Sequence, residues 1–251
     1  MDAPILVTGG TGTLGRAVVA RLQDAGLEHR VLSRRSRPGL VTGDLATGTG
    51  VDAAVGGAGV ILHLATAPRH DAATTRTLID AALRHGRPHL VFVSIVGADR
   101  IPLTYYREKV AAERLVEESG LPWTILRATQ FHDLVAGIFG ALARTGLLPV
   151  LARTSFQPID VRDVAGRLVE LATADAGGRA TDMGGPAIRS MDELARVWLR
   201  ATGRRRPVLP LPLPGALARG YREGRHLAPH HPDGVITCEE FLAGRSAASR
   251  P

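Results

Sequence analysis

The stretch Ile5-Leu6-Val7-Thr8-Gly9-Gly10-Thr11-Gly12-Thr13-Leu14-Gly15 constrains this chain more than any other. Ile5 to Thr8 is a short apolar run of the kind a fully buried parallel strand shows. Glycines follow at 9, 12 and 15, and Gly10-x-Gly12-x-x-Gly15 also fits the spacing of a dinucleotide-binding loop. Apolar residues then recur from Leu14 through Ala17, Val18 and Leu22 to Gly26, as in a helix. Strand, glycine turn and helix in that order are the context the motif needs. Glycine lets the backbone turn tightly and approach a pyrophosphate, and the helix N-terminus offers N–H groups and a positive dipole end to the phosphates. Gly9, Thr11, Gly12, Thr13, Leu14 and Gly15 are the expected phosphate-binding residues.

His29 to Ser33 reads as a second strand, and it leaves into Ser33-Arg34-Arg35-Ser36-Arg37. An acidic residue about 20 positions past such a glycine loop serves the adenosine ribose, whereas arginine suits an added 2′-phosphate. No acid stands there, and a guanidinium pairs with phosphate through a fork of donors. Ser33, Arg34 and Arg35 therefore point to NADP(H) over NAD(H), the alternative being a solvated basic loop. Leu40 to Leu45 reads as strand three and its exit. Asp44 either accepts a hydrogen bond from the adenine amino group, with Leu45 against the ring, or caps the following turn. A helix is expected from about Gly50 to Ala58, and strand four over Gly59–Leu64. Ala65-Thr66-Ala67-Pro68 then stands where ligands bind in open parallel sheets. His63 reads as a core-edge residue. Thr74 to His85 is a crossover helix, and His89 to Ser94 is strand five, with Ser94 facing the expected cofactor crevice.

The next helix, about Tyr105 to Ser119 with Thr104 as its cap, carries the chemistry. Tyr105 and Lys109 are four apart and share one face. An ammonium beside a phenol favours the phenolate and lowers its pKa. Such a tyrosine exchanges protons with a carbonyl or an alcohol. Lys109 would also hold the nicotinamide ribose, and Ser94 would complete a proton-donating pair over one substrate oxygen. The chain's single lysine stands at this position. Its other reading is an exposed helix residue near Glu108 and Glu113.

Thr8-Gly9-Gly10-Thr11-Gly12-x-x-Gly15, Ser94 and Tyr105-x-x-x-Lys109 resemble the short-chain dehydrogenase/reductase superfamily. Gly120-Leu121-Pro122-Trp123-Thr124-Ile125-Leu126-Arg127 and Phe156-Gln157-Pro158-Ile159-Asp160-Val161-Arg162-Asp163-Val164-Ala165 resemble its atypical, NmrA-like branch. The resemblance covers most of the first 175 residues. It implies a Rossmann fold, NAD(P) binding and a C-terminal substrate lobe. Some members of the branch reduce carbonyls, quinones or conjugated double bonds, and others bind the nucleotide as regulators without turnover.

The expected architecture is α/β, a doubly wound parallel Rossmann sheet with a small C-terminal substrate-binding lobe. Residues 1–130 form the NAD(P)-binding core and 131–251 the substrate portion, with 155–175 packing back on the core in one integrated domain. Trp123 to Arg127 is strand six. Ala128, Thr129 and Phe131 follow at its exit, expected under the nicotinamide, although Phe131 also suits the core. An amphipathic segment runs from about His132 to Arg144. Phe156 to Ile159 is a short strand, and Asp160 caps a helix over Val161–Thr173. After about 175 come a strand over Arg179–Met183 and a helix over Met191–Ala201. The Pro207–Pro214 stretch is extended, since alternating proline bars a helix or a central strand. It would either line a small apolar pocket together with Phe131 and the 132–144 segment, or dock on the body. Gly244 to Pro251 should fray.

Bulk properties bound the function. A chain of 251 residues, 45% hydrophobic, can bury a full α/β core. The net charge of +7 comes almost wholly from arginine, with no basic block beyond Arg204-Arg205-Arg206, and aromatics are only 4%. No nucleic-acid partner is expected. No apolar run spans a membrane and no signal peptide is evident. The single Cys238 fits a reducing cytoplasm. His226, His230, His231 and Cys238 match no usual zinc spacing, so no metal is expected. The partners left are a small-molecule substrate and, at most, a second copy: a monomer or a homodimer.

Overall fold

The computed structural model describes residues 3–248. In chain order the first elements are β1 (Ile5–Thr8), α1 (Thr13–Asp24), β2 (His29–Ser33), β3 (Leu40–Thr42), α2 (Val51–Val55), β4 (Val60–His63), α3 (Asp71–Arg84), β5 (His89–Ile95), α4 (Thr104–Glu117) and β6 (Trp123–Ala128). They are followed by α5 (His132–Leu142), β7 (Leu148–Leu151), β8 (Ser155–Phe156), α6 (Val161–Thr173), β9 (Gly178–Arg179), β10 (Arg189–Ser190), α7 (Met191–Ala201), β11 (Val208–Leu211), α8 (Ala216–Arg222) and α9 (Cys238–Ala248).

A seven-stranded parallel sheet in the order β3-β2-β1-β4-β5-β6-β9, flanked by helices, makes this a Rossmann-like α/β fold. β1 lies between β2 and β4, so Thr8 stands opposite Leu32 on one side and His63 on the other. The strand order reverses there, which opens a crevice at the carboxyl ends of β1 and β4. The strands are apolar on both faces because helices cover both. Leu6, Ile61 and Leu90 form one row across the sheet and are fully buried with Leu78, Ala82, Ala112 and Val116. Each of the leucine, isoleucine and valine side chains stabilises the fold by about 1.5–3 kcal/mol.

The chain divides into two compact units. The first holds the residues up to Ser94, then Thr104–Arg127 and Val164–Thr181; the second holds Ile95–Leu103, Ala128–Asp163 and the residues from Asp182 on. Residues 164–181 fall in the first unit, where 155–175 were expected to return to the core. β9 pairs with β6 as the seventh strand, so residues 178 and 179 belong to the sheet rather than to the small lobe. The second unit has its own core, in which Phe139, Leu148, Leu194 and Trp198 are buried between α5, α7 and β7. Its helix α7 starts at a capping box: the Ser190 side chain accepts from the Glu193 N–H, and Glu193 accepts from the Ser190 N–H. β11 pairs in parallel with β7, which places Pro210 and Pro149 in a two-stranded sheet where both strands are edges.

Several expected boundaries move. Helix α3 begins at Asp71, a turn before Thr74. Thr104 is the first residue of α4 rather than its cap. Strand β8 covers only Ser155–Phe156, with Ile159 bridging to Phe131 instead. Helix α9 continues through Gly244 to Ala248, and the last three residues lie outside the described ones. Asp160 does cap α6, accepting from the Arg162 N–H at 2.9 Å.

Candidate active site

A cavity of about 650 Å³ opens at the switch point of the sheet. Gly9, Thr11 and Gly12 line it from the glycine loop, Ser33, Arg34 and Arg35 from the exit of β2, Asp44 and Leu45 from the exit of β3, and Ala65, Thr66 and Ala67 from the exit of β4. Thr8, Arg37 and Thr74 also line it, and the sequence alone did not single them out. The structure thus brings eleven of the expected cofactor residues to one cavity.

The glycine loop is shaped by close approach. Gly9 has φ +70°, and a Cβ on it would stand 2.5 Å from the Ala65 nitrogen; a Cβ on Gly15 would stand 2.1 Å from the Gly9 oxygen. Loop, β4 exit and helix start therefore touch through backbone, a cradle that any side chain would fill. Thr13, Leu14 and Gly15 do not line the cavity, but they form the first turn of α1, where N–H groups lack intrahelical partners. No acidic residue stands in that turn. The residues present fit a dinucleotide: backbone donors and a positive dipole end for the pyrophosphate, and guanidinium groups at the exit of β2. Asp44 caps its turn, accepting from the Ala46 N–H at 2.9 Å, and still lines the cavity.

Thr66 joins the cavity to Tyr105. Its hydroxyl lies 3.0 Å from the Tyr105 hydroxyl and 3.1 Å from Asp71 Oδ2. Asp71 also accepts from the Ala67 N–H and pairs with Lys109 Nζ at 3.2 Å. Lys109 is buried, with Nζ 3.4 Å from the Val93 carbonyl and 4.8 Å from the centre of the Phe92 ring. It lies 6.0 Å from the centre of the Tyr105 ring and does not line the cavity. Burial lowers the Lys109 pKa, and Asp71 opposes that fall.

This overturns one electrostatic expectation. The Tyr105 phenol is raised, not lowered: burial is the main cause and the Asp71 charge adds to it, while a hydrogen bond donated by Thr66 to the phenol would lower it. The spacing of Tyr105 and Lys109 is as read, but the carboxylate from α3 takes up the ammonium. His63 is a core residue. Its Nδ1 lies 2.7 Å from the Thr8 hydroxyl and its Nε2 lies 3.0 Å from the Thr75 hydroxyl, and burial pushes it down to about 3.

Ser94 makes no hydrogen bond to Tyr105. It follows Phe92 by two in β5, so it shares the face that meets α4. Its buried hydroxyl lies near Glu113, close enough to help hold that carboxylate ionised but without a hydrogen bond of normal geometry. Glu113 is fully buried and binds Arg127 at 2.8 and 2.6 Å and Arg179 at 2.9 Å, tying α4 to β6 and β9. Burial alone would raise its pKa, but Arg127, Ser94 and Arg179 together hold it below the ordinary 4.5. The stability this supplies is present above that value and is lost as pH falls through the lower folded one. Glu113→Gln is therefore expected to cost about 2 kcal/mol at neutral pH in urea unfolding, with the difference from wild type shrinking in acid. An unchanged unfolding midpoint at neutral pH would contradict it.

The remaining expected residues lie in the second unit and serve its backbone. Thr129 donates to the Gln157 carbonyl at 2.6 Å, while Ala128 bridges to Met183 and Phe131 to Ile159. Among the described residues no helix is long and apolar enough to cross a membrane. His226 is buried, with Nε2 2.9 Å from the Ser155 carbonyl, and it stacks edge-on against Phe156 and Tyr221.

A family model described as NAD(P)H-binding matches residues 9–175. An NAD(P)H azoreductase of Xenophilus azovorans is 29% identical over 271 residues, covering 97% of this chain and 94% of its own. A photosystem II assembly factor of Cyanophora paradoxa is 28% identical over 232 residues, covering 83% of this chain and 72% of its own. Among solved structures, an NADPH-dependent quinone oxidoreductase of Escherichia coli complexed with NADPH superposes with a TM-score of 0.81. It is 19% identical, over 96% of this chain and 99% of its own.

Proposed function

The chain belongs to the NAD(P)H-binding family, and from that premise we propose that it is an NADP(H)-dependent reductase of the short-chain dehydrogenase/reductase type. Its substrate class is a small apolar molecule with a carbonyl, quinone or conjugated double bond. The observation that carries this reading is the position of Thr66, which lines the nucleotide cavity and meets the Tyr105 hydroxyl. The azoreductase likeness supports a reducing activity. The first turn of α1 and the loop at 9–12 bind the pyrophosphate, and Ser33, Arg34 and Arg35 bind the 2′-phosphate. NADPH, when bound, supplies a hydride. Tyr105, held as a phenol, gives a proton to the substrate oxygen. Lys109 supports that site through Asp71 rather than by touching the phenol.

Stoichiometric NADPH oxidation with a panel of aldehydes, quinones and enones tests the proposal. Consumption matched by reduced product supports it. Tight NADPH binding with no oxidation of any substrate sinks it. That result would favour a second reading, a nucleotide-sensing regulator, which two observations support: the withdrawal of Lys109 into an ion pair with Asp71, and the likeness to an assembly factor. Product isomerised without net NADPH loss would instead indicate an epimerase or dehydratase.

A further inference from the structure

We infer that Asp71 is a positioning residue that sets the protonation of Tyr105: through Thr66 it fixes where the phenol hydrogen points, and through its ion pair it takes up the charge of Lys109. Asp71 opens α3 and is 2% exposed. Its carboxylate, facing Lys109 at 3.2 Å, can only accept hydrogen bonds. Thr66 Oγ1 lies 3.3 and 3.1 Å from its two oxygens, so the single Thr66 hydrogen goes to Asp71. The Thr66 lone pairs then face the Tyr105 hydroxyl at 3.0 Å, and Tyr105 is the donor in that contact. The phenol keeps its proton and directs it along Thr66 until a better acceptor arrives.

The charges around the phenol agree with this. Asp71 comes from α3; His63, a neutral imidazole, comes from β4. Helix α4 adds Lys109, Glu108, whose carboxylate accepts from the Ala72 N–H, and Glu113, paired with arginines. Strand β5 contributes the uncharged Phe92 ring and Val93 carbonyl. Lys109 is the cation of this set that would favour a phenolate, and it stands as half of a buried pair. A buried pair of opposite charges exerts far less field on a third group than a lone ammonium does.

The inference concerns Tyr105 itself; only its consequence for turnover rests on the proton-donor reading. NMR of the full chain labelled with ¹³C at the tyrosine ring tests it, because the protein has three tyrosines and Tyr105→Phe assigns the resonance. Asp71→Asn removes the charge with little change of shape, and the Tyr105 titration midpoint is expected to fall by about one pH unit or more. Thr66→Val removes the acceptor and is expected to lower the midpoint by less, and Thr66→Ser to restore it. An unmoved midpoint in Asp71→Asn overturns the inference. So does a rise in Thr66→Val, since that would mean Thr66 donates to the phenol. If Asp71→Asn does not fold, the sign in Thr66→Val decides alone. In turnover, the high-pH limb of NADPH-dependent reduction should shift with the midpoint. A midpoint that moves while the limb stays still leaves Asp71 in its role and removes Tyr105 as the proton donor.

Discussion

The Arg34→Ala/Arg35→Ala double variant is expected to bind NADPH about 30- to 100-fold more weakly than wild type while its affinity for NADH stays unchanged. A hydrogen bond to a charged group contributes about 1.5–3 kcal/mol, and each 1.4 kcal/mol is tenfold in affinity. Two such contacts would give more than 100-fold if both were dry. Arg34 and Arg35 are exposed, however, so solvent and salt screen them and the lower range applies. The Arg35 N–H donates to the Ser33 hydroxyl at 3.1 Å, which orders the backbone that carries both guanidinium groups. Arg37 lines the same cavity and remains in the double variant, so a residual preference for NADPH is expected to vanish only when it too is replaced. Fluorescence titration with both nucleotides at low and physiological salt checks this. Wild-type NADPH preference in the double variant would show that the arginines are a solvated loop.

Much of this site could be read from the chain because its parts are local. A buried parallel strand needs an unbroken apolar run, as at Ile5–Thr8, and the turn after it needs glycine where Gly9 takes a positive φ and Gly15 touches the Gly9 carbonyl. Strand β2 and its arginine exit follow within one supersecondary unit, so counting along the sequence finds them. Asp71 escaped because it joins two segments: its partners Thr66 and Lys109 come from the exit of β4 and from helix α4. A local signal did exist. Pro68 followed by an acid at the first helical turn marks a helix start, and would have moved that start from Thr74 to Asp71. For Ser94 the strand pattern gave the position in β5 but not its neighbour on α4, Glu113. The strand expected over Arg179–Met183 is β9 at Gly178–Arg179, and its place in the sheet could not be read. Gly178 and Arg179 have no apolar period, and their pairing with Thr124 and Ile125 makes them a strand.

Tyr105→Phe carries the largest kinetic effect. Its kcat with a carbonyl substrate is expected to fall by about 10²–10⁴-fold, the usual contribution of a positioned general acid. The ring is kept, so packing beside Tyr106, 6.2 Å away centre to centre, should persist. Affinity for NADPH should persist as well, because the cavity is lined by other residues. The pH profile separates this loss from a structural one. Burial and Asp71 raise the phenol, so the wild-type reduction rate should stay level through neutral pH and fall only in strong base, where the proton is lost. In Tyr105→Phe that limb should disappear, with a small residual rate fed by water. Tyr106→Phe is the control: it is buried at 4% exposure and three residues from Lys109, and its replacement should leave kcat within about twofold. A wild-type rate in Tyr105→Phe would mean that the proton comes from elsewhere. The network of Thr66, Asp71 and Lys109 would then have only a structural role, as a buried ion pair that joins α3 to α4.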